Sequence, residues 1–420
     1  MANLDYRGIF LRKSKLSLAS IFFTFFIDNL CWSIVFPLFA PYFLDPENVL
    51  FSREVSEATR TTILSCFLTA FSLGQFLGAP ILGEYADRSG RKKALAVSVF
   101  FTLVGLGITA WSMGARVLWL LFAGRLFTGL FSSNMSVCLA AVSDLSATEK
   151  ARVKNFGFLS VFAGLSFILG AFLGGKLSDP EIAPFFSPNF PLWVAAALTF
   201  FNFLFICYGF TETSTIDPST KFDFWESFRN IKQALQKEKI KRVYFVFFLF
   251  LFSWTILFQF TPVIVVHSFE FTSSDIGDLA IYMGICWAFG SAYLSKFLLS
   301  YFSSVRILEG CLCLFTIFIF SLLFSTSIYI VLPVVGFCVV IGGLAWPLCN
   351  NLISNMASKR IQGKILGISQ SVQSLAMTLA PIAGGLATQG SVKLPFLIGA
   401  LSGLIATFVY FTLRKGVSTK

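Results

Sequence analysis

The stretch of sequence that decides the fold lies between two long apolar segments and reads Gly83-Glu84-Tyr85-Ala86-Asp87-Arg88-Ser89-Gly90-Arg91-Lys92-Lys93. It concentrates basic side chains in a chain that is otherwise mostly hydrocarbon. Ionised side chains are costly inside a bilayer, so charge of this density stays outside it. The stretch is therefore predicted to be a loop at one face of a membrane.

The composition of the whole chain indicates a polytopic membrane protein. Of the 420 residues, 56% are hydrophobic, 13% are charged and 53 are phenylalanine. A soluble domain carries about 25% charged residues. A net charge of +11 is compatible with binding to nucleic acid. The basic residues, however, fall in short loops between apolar runs, so we expect no nucleic-acid partner.

Cysteine and histidine give no sign of a metal or cofactor site. All nine cysteines fall inside apolar segments, which favours small helix-packing residues over disulfides or metal ligands. The single histidine, His267, cannot build a metal site alone. With no nucleophile–base pair and no phosphate-binding loop in view, we expect neither an enzyme nor a cofactor.

Long apolar runs predict the segments that cross the membrane. A helix needs roughly 20 apolar residues to cross about 30 Å of hydrocarbon. Such runs predict twelve spans, numbered here 1 to 12, with approximate limits at residues 17–44, 62–84, 94–113, 117–142, 154–176, 190–210, 243–267, 276–298, 304–325, 328–352, 364–388 and 393–413. The predicted fold class is an all-α polytopic membrane protein with twelve transmembrane helices.

Lysine and arginine are distributed unevenly between the two sides of this map. With the N-terminus in the cytoplasm, 26 of the 32 basic residues lie on the cytoplasmic side and five on the outer side. Cytoplasmic loops carry such an excess. We therefore predict both termini in the cytoplasm. The compact loops favour a bacterial inner membrane, and the first apolar run is too long for a cleaved signal peptide.

The longest polar break, residues 211–242, contains 12 charged residues among 32. Within it Phe224, Phe228, Ile231 and Leu235 recur at helical spacing. That pattern is typical of an amphipathic helix lying on the cytoplasmic surface. The alternative is a plain tether between the two halves of the chain.

An internal repeat divides the chain into two halves. A shift of 210 residues aligns Ala147, Lys154, Gly157, Leu165, Leu169, Gly174 and Gly175 with Ala357, Lys364, Gly367, Leu375, Leu379, Gly384 and Gly385. A weaker match relates Cys31-Trp32-Ser33-Ile34 to Ser253-Trp254-Thr255-Ile256. We predict two pseudo-symmetric six-helix bundles, residues 1–210 and 243–420, joined by the linker 211–242. Two such bundles are typical of transporters whose substrate site lies between them near the midplane.

Spans 1 and 4 each contain a single charged residue. Asp28 is the only charged residue of span 1, and Arg125 is the only one of span 4. At 1.5 Å per residue the two reach a similar depth, which allows them to pair. Burial favours a neutral carboxyl group and a nearby arginine favours the carboxylate, so we predict a proton-coupling pair. A static ion pair between spans 1 and 4 is the alternative.

Polar and aromatic residues inside the spans predict the lining of a substrate cavity. Each one alone is more often a helix-packing residue, but the set is typical of a cavity. The predicted lining comprises Asn29, Trp32, Phe36, Gln75, Asn134, Trp254, Gln259, Trp346, Asn350, Gln370 and Gln373.

The loop after span 2 resembles the signature loop of the major facilitator superfamily, Gly-x-x-x-Asp-Arg-x-Gly-Arg-Arg/Lys. The matching residues are Gly83, Asp87, Arg88, Gly90, Arg91 and Lys92. Over nearly its whole length the chain is most similar to twelve-span drug/proton antiporters of the tetracycline-efflux type. The resemblance implies the superfamily fold and a cytoplasmic gating loop. In that loop the aspartate caps a helix and the arginines pair with acids, here Asp144 and Glu149.

Further residues extend the resemblance to spans 1, 4 and 5. Arg125 and Gly129 fit the Arg-x-x-x-Gly pattern of span 4, and Asp28 matches an aspartate of drug/proton antiporters, so the resemblance implies proton coupling. The antiporter pattern of span 5, Gly-Pro-x-x-Gly-Gly, is only partly present. Its counterpart, residues 170–175, has Ala171 in place of the proline.

These observations favour proton-coupled efflux of small amphipathic molecules or drugs by a monomer in the lipid bilayer. Because the span 5 proline is missing, proton-coupled uptake of a metabolite or of an iron chelate such as a siderophore is the alternative. A receptor or scaffold that transports nothing is the third possibility. The sequence excludes neither alternative.

Overall fold

The computed structural model describes residues 2–45, 50–51, 54–146, 148–213, 238–355 and 362–415, and within these ranges the secondary structure is helical. Ten helices in this part of the chain are long and apolar enough to cross a membrane. They are Leu16–Ser33, Glu57–Ser89, Arg91–Ala115, Leu118–Asp144, Gly157–Leu177, Phe190–Gly209, Lys241–Phe269, Ser304–Phe324, Ile328–Ile353 and Leu394–Leu413. They correspond to spans 1 to 7, 9, 10 and 12 of the prediction. The protein is therefore an integral, multi-pass membrane protein.

The two other predicted spans are also helical. Span 11 is the helix Gln362–Ala387, which contains the shorter apolar segment Ser371–Ala387. Span 8 consists of three pieces in series, the α-helix Ser273–Ala288, the π-helical segment Phe289–Leu294 and the α-helix Ser295–Leu299. All twelve predicted spans thus have a helical counterpart, although span 8 is not one regular helix.

The helix boundaries extend most predicted spans by a few residues. In the first half the helices are Ala2–Ser33 and Phe39–Leu44 (span 1), Glu57–Ser89 (span 2), Arg91–Ala115 (span 3), Leu118–Phe131 and Met135–Asp144 (span 4), Glu149–Leu177 (span 5) and Phe190–Gly209 (span 6). In the second half, besides spans 8 and 11, they are Glu238–Phe269 (span 7), Ser304–Ser321 with a 3₁₀ turn Leu322–Phe324 (span 9), Ile328–Asn355 (span 10) and Leu394–Lys415 (span 12).

Spans 1 and 4 are interrupted where the sequence analysis predicted continuous segments. Span 1 leaves the α-helix at residues 34–38, around Pro37, whose ring nitrogen has no hydrogen to donate. Span 4 leaves it at residues 132–134, a Ser-Ser-Asn run whose side chains compete for backbone hydrogen bonds. At that break the Ser133 hydroxyl donates to the carbonyl of Gln75 in span 2 at 3.1 Å.

The two halves repeat the same packing. Span 1 packs against spans 5 and 6, and span 3 against spans 4 and 6. In the second half span 7 packs against spans 11 and 12, and span 9 against spans 10 and 12. Equivalent residues make these contacts. A Cβ atom on Gly174 would meet the carbonyl oxygen of Ile34, and one on the matching Gly384 would meet the side chains of Phe260 and Ile256.

The chain divides by packing into two compact units. The first comprises Met1–Leu38 and Leu73–Phe224, and the second comprises Phe39–Ser72 and Trp225–Lys420. The first part of span 2 therefore belongs with the second unit. The predicted linker helix, with its Phe224, Phe228, Ile231 and Leu235 face, lies outside the described residues. For this reason the domain boundaries at residues 210 and 243 stay a prediction.

Candidate functional site

Asp28 lies in the middle of the span 1 helix and is only partly exposed. Its Oδ2 atom is shielded from solvent and has no hydrogen-bond partner among the described residues. A buried carboxylate oxygen without a partner carries an uncompensated desolvation cost, and most buried polar atoms in native proteins avoid this. Asp28 is therefore a group whose charge depends on what approaches it.

The side chain that interacts with the Asp28 carboxyl group is Asn134. Asn134 is 2% exposed and stands at the break in span 4, directly before the helix Met135–Asp144, which packs against span 1. Its Nδ2 atom also has no hydrogen-bond partner in the described part of the protein. The Asn134 side chain thus interacts with the Asp28 carboxyl group, while one donor atom of the first and one acceptor atom of the second remain without a hydrogen bond.

Arg125 is 5% exposed and lies in the first helix of span 4. An ion pair between Arg125 and Asp28 is not among the salt bridges of the described residues. The pairing that the sequence analysis inferred from depth is therefore absent from this structure. Similar depth in two helices does not fix their rotation, which decides where the side chains point.

Polar side chains beside Asp28 fasten span 1 to span 6. The Thr24 hydroxyl donates to Oδ1 of Asn202 at 2.9 Å, and both residues are buried. One turn beyond Asp28, the Cys31 thiol lies 3.4 Å from the Thr199 hydroxyl. The thiols of Cys31 and of Cys138 in span 4 are close enough to Asp28 to be influenced by its charge. These contacts fix the helix that carries Asp28.

The other predicted cavity residues of the first unit are less distinctive. The Asn29 amide donates to the Phe25 carbonyl of its own helix at 2.7 Å, and Gln75 is half-buried. Trp32 and Phe36 both contact the ring of Phe167 in span 5, with ring centroids 6.2 and 6.1 Å apart. The aromatic pair thus packs spans 1 and 5 together.

The second unit contains a cluster of three tryptophans from three spans. The ring centroids of Trp254 and Trp287 are 5.0 Å apart, and those of Trp287 and Trp346 are 6.4 Å apart. Phe258 stacks on Trp254 with an interplanar angle of 28°. All three tryptophans are half-buried, so the cluster packs the spans together and also exposes aromatic surface.

Polar residues of the second unit differ in how well they are satisfied. Oε1 of Gln259 is buried without a hydrogen-bond partner among the described residues. The Asn350 amide donates to the Trp346 carbonyl at 3.0 Å, so part of its capacity is used within its own helix. Gln373 is half-buried, and the side chain of Gln370 lies outside the described residues.

The loop after span 2 is a compact ionic cluster built around Arg91. Its Nη1 atom lies 2.7 Å from Oδ1 of Asp87, and its Nε atom lies 3.7 Å from Oδ2 of Asp144 at the end of span 4. Arg88 pairs with Glu84 at 3.8 Å. Asp87 itself is 69% exposed. Most of the predicted loop is helical: Gly83 lies in the span 2 helix, Lys92 lies in the first turn of the span 3 helix, and Gly90 lies between the two helices. The side chain of Glu149 lies outside the described residues.

Comparison with known proteins identifies the family. The model of the Major Facilitator Superfamily matches residues 21–308 and 291–420. The chain belongs to the major facilitator superfamily. It is accordingly a membrane transporter of small molecules and not an enzyme.

Individual relatives of this superfamily member are distant. It is 24% identical over 374 residues to the tetracycline resistance protein, class H, of Pasteurella multocida, covering 87% of this chain and 90% of that protein. It is 25% identical over 355 residues to multidrug resistance protein 2 of Bacillus subtilis (strain 168), covering 82% and 85%. The crystal structure of the human organic anion transporter MFSD10 is similar in fold, with a TM-score of 0.70 at 19% identity, covering 94% and 99%.

One contact in the signature loop of this transporter was missed by the sequence analysis. The Glu212 carboxylate accepts hydrogen bonds from the backbone amides of Arg91 at 2.8 Å and Lys92 at 3.0 Å. Gly90 precedes the helix of span 3 and has no side chain to cap it. Glu212 supplies that cap from the end of span 6. An acid directly after an apolar span was the available signal.

A second polar cluster of the transporter joins spans 2, 7 and 11. Nδ1 of His267 contacts Oε1 of Glu57, the first residue of the span 2 helix. The Gln389 amide donates to the Thr62 hydroxyl at 2.8 Å, and that hydroxyl donates to the Gly385 carbonyl at 2.9 Å. As a lone histidine at the end of an apolar span, His267 gave no sign of this contact in the sequence.

Proposed function

We propose that this transporter is a proton-coupled exporter of small amphipathic molecules or drugs, working by alternating access. Protons would enter in exchange for substrate leaving the cell, with Asp28 as the proton-binding group. We further propose that it acts as a monomer in the inner membrane of a bacterium, with both termini in the cytoplasm.

The observation that carries this proposal is the environment of Asp28. The carboxyl group is the only charge of span 1 and has a buried, unsatisfied oxygen. Low dielectric favours its neutral form, and access to water or to a donor favours its charged form. Alternating access changes such exposure in every cycle, so Asp28 is suited to take up a proton from one side and release it to the other.

Two further observations support an amphipathic substrate. The relatives that cover most of the chain include proteins named for tetracycline resistance and multidrug resistance. The tryptophan cluster of the second unit offers flat apolar faces, and the unsatisfied Gln259 oxygen offers one polar contact. Binding sites for drug-sized molecules commonly combine apolar walls with a few polar groups.

Arg125 has a supporting role in this proposal. It lies in the same span as Asn134, and its charge stabilises a carboxylate when the two groups approach. We propose that such an approach occurs in another state of the cycle, since this structure has no ion pair between Asp28 and Arg125.

The test compares wild type with Asp28→Asn in proteoliposomes that carry an imposed pH gradient. With a tetracycline or a lipophilic cation as the probe, wild type should accumulate the compound against its gradient, and Asp28→Asn should lose this pH-driven accumulation. Asp179→Asn is the matched control, because Asp179 lies outside the spans and its hydrogen bond to the Glu181 amide can be kept by asparagine. Undiminished accumulation by Asp28→Asn would overturn the role of Asp28.

A further inference from the structure

Asp28 and Asn134 are chemically complementary, and each has an unsatisfied atom. Oδ2 of Asp28 can accept a hydrogen bond, Nδ2 of Asn134 can donate one, and neither has a partner in the described part of the protein. Leaving such atoms buried and unpaired costs free energy that a small movement would recover. The arrangement therefore points to a hydrogen bond that forms in some states of the protein and opens in others.

Asn134 stands at the break in span 4, outside the regular helix. Residues 132–134 are not α-helical, and the Asn134 side chain makes no capping hydrogen bond to the helix that follows it. Ser133 holds the break to span 2 through its bond to the Gln75 carbonyl. Asn134 thus stands at a non-helical joint in span 4, while Asp28 stands on a helix fixed by Thr24 and Cys31.

Few ionisable side chains lie near Asp28, so Asn134 is its main polar neighbour. Two thiols, those of Cys31 and Cys138, are close enough to the carboxyl group to be influenced by its charge. Among the described side chains, the charged group of span 5 is Lys176 in its last turn, and span 6 contributes none. Arg125 lies in span 4 but forms no ion pair with Asp28 here.

We propose that Asn134 is a positioning residue for Asp28, donating a hydrogen bond from its amide to the deprotonated carboxylate and releasing the carboxyl group when it is protonated. This inference rests on the proposed function. When Asp28 loses its proton to water, the N–H group of the Asn134 amide moves to the carboxylate oxygen and takes the place of the lost O–H hydrogen. The joint in span 4 then closes toward span 1. Protonation of Asp28 and the bend of span 4 are in this way one coupled event.

The test uses the pH dependence of transport by Asn134→Ala in proteoliposomes. Without the amide donor the carboxylate is less stable, so Asp28 should keep its proton to higher pH. The midpoint of the pH profile should move in the alkaline direction by about one pH unit or more, the size expected for a lost hydrogen bond to a charged group. Asn134→Ser, which keeps a donor, should move it less.

Asn202→Ala is the matched control. Asn202 is also a fully buried asparagine with an unsatisfied Nδ2 atom, but its bond is to Thr24 and not to Asp28. It should change activity or stability without moving the midpoint. An equal shift in Asn202→Ala and Asn134→Ala would overturn the inference, because it would trace the shift to general loosening of span 1.

A second readout does not depend on transport. The carbonyl stretch of the protonated Asp28 carboxyl group can be followed by infrared difference spectroscopy against pH, with Asp28→Asn identifying the band. The band should disappear at higher pH in Asn134→Ala than in wild type. Coincident titrations would overturn the inference and leave the proposed function standing. Proton coupling that persists in Asp28→Asn would instead overturn the proposed function itself.

Discussion

The Glu212 carboxylate accepts a hydrogen bond from the backbone amide of Arg91 at 2.8 Å. This contact joins the end of span 6 to the start of span 3, 121 residues apart in sequence. Free amides at a helix N-terminus bind anions because they lack partners and because the helix dipole is positive there. The signature loop of the superfamily is thus stabilised here by an acid from outside the signature.

Glu212→Ala should destabilise the protein by about 0.5–2 kcal/mol, the usual cost of losing a helix N-cap. Glu212→Gln keeps an acceptor oxygen and should cost less. Thermal unfolding in detergent measures both. The exposed Glu181, in the loop between spans 5 and 6, provides the control substitution Glu181→Ala. If Glu212→Ala unfolds at the same temperature as wild type, the cap contributes nothing to stability.

Gly90→Ala should be more damaging than its small size suggests. The φ angle of Gly90 is 91° and its ψ angle is 155°, a conformation that is essentially restricted to glycine and costs other residues about 1–3 kcal/mol. A Cβ atom there would also meet the Glu212 carboxylate. Gly83→Ala in the span 2 helix is the control, because a Cβ atom there would meet nothing within 4 Å. Expression level and melting temperature should separate the two variants, and equal behaviour would contradict the account.

Trp254→Ala should weaken substrate binding if the tryptophan cluster forms part of the substrate site. An aromatic contact contributes about 0.5–1.5 kcal/mol beyond its buried area, so KM should rise about two- to tenfold while the pH profile stays in place. Transport kinetics measure both quantities. Trp119→Ala removes a tryptophan that is 72% exposed and should leave KM unchanged. A KM that is unaffected by Trp254→Ala would assign the cluster to packing alone.

The contact between His267 and Glu57 joins span 7 to the start of span 2. In a double-mutant cycle with Glu57→Gln and His267→Gln, we expect a stabilising coupling of up to about 1 kcal/mol, as for an exposed pair. Melting temperatures of the wild type, the two single variants and the double variant give the coupling. Effects of the two substitutions that simply add would show that the contact contributes nothing to stability.

Hydropathy predicted the spans well because a bilayer imposes a simple requirement of length and apolarity on each helix. The repeat was also visible, since close contacts such as Gly174 against Ile34 and Gly384 against Ile256 require the same residue types in both halves. The composition of the chain gave no indication of where a helix is locally irregular. The π-helical segment at Phe289–Leu294 lies in a run that reads as ordinary helix.

The candidate site was predictable in its residues but not in its pairings. Asp28 was conspicuous as a lone charge in an apolar span, and that signal needs no structure. Asn134 interacts with Asp28, and no salt bridge to Arg125 is present among the described residues. The rotation of each helix decides such pairings, and it depends on packing that a single sequence does not reveal. The run Ser132-Ser133-Asn134 was a sign of the break in span 4, and Glu212 was a sign of the cap. Neither of these two sequence features identifies its role until the contact that it makes in the structure is known.

The most direct test of the account records the two fluxes together in wild-type proteoliposomes, with a pH-sensitive dye inside and a labelled tetracycline as the transported compound. Proton-coupled efflux predicts that protons and compound cross the membrane in opposite directions, each gradient driving the other. Movement of both in the same direction would contradict it and favour uptake, and transport of the compound without any proton movement would contradict coupling.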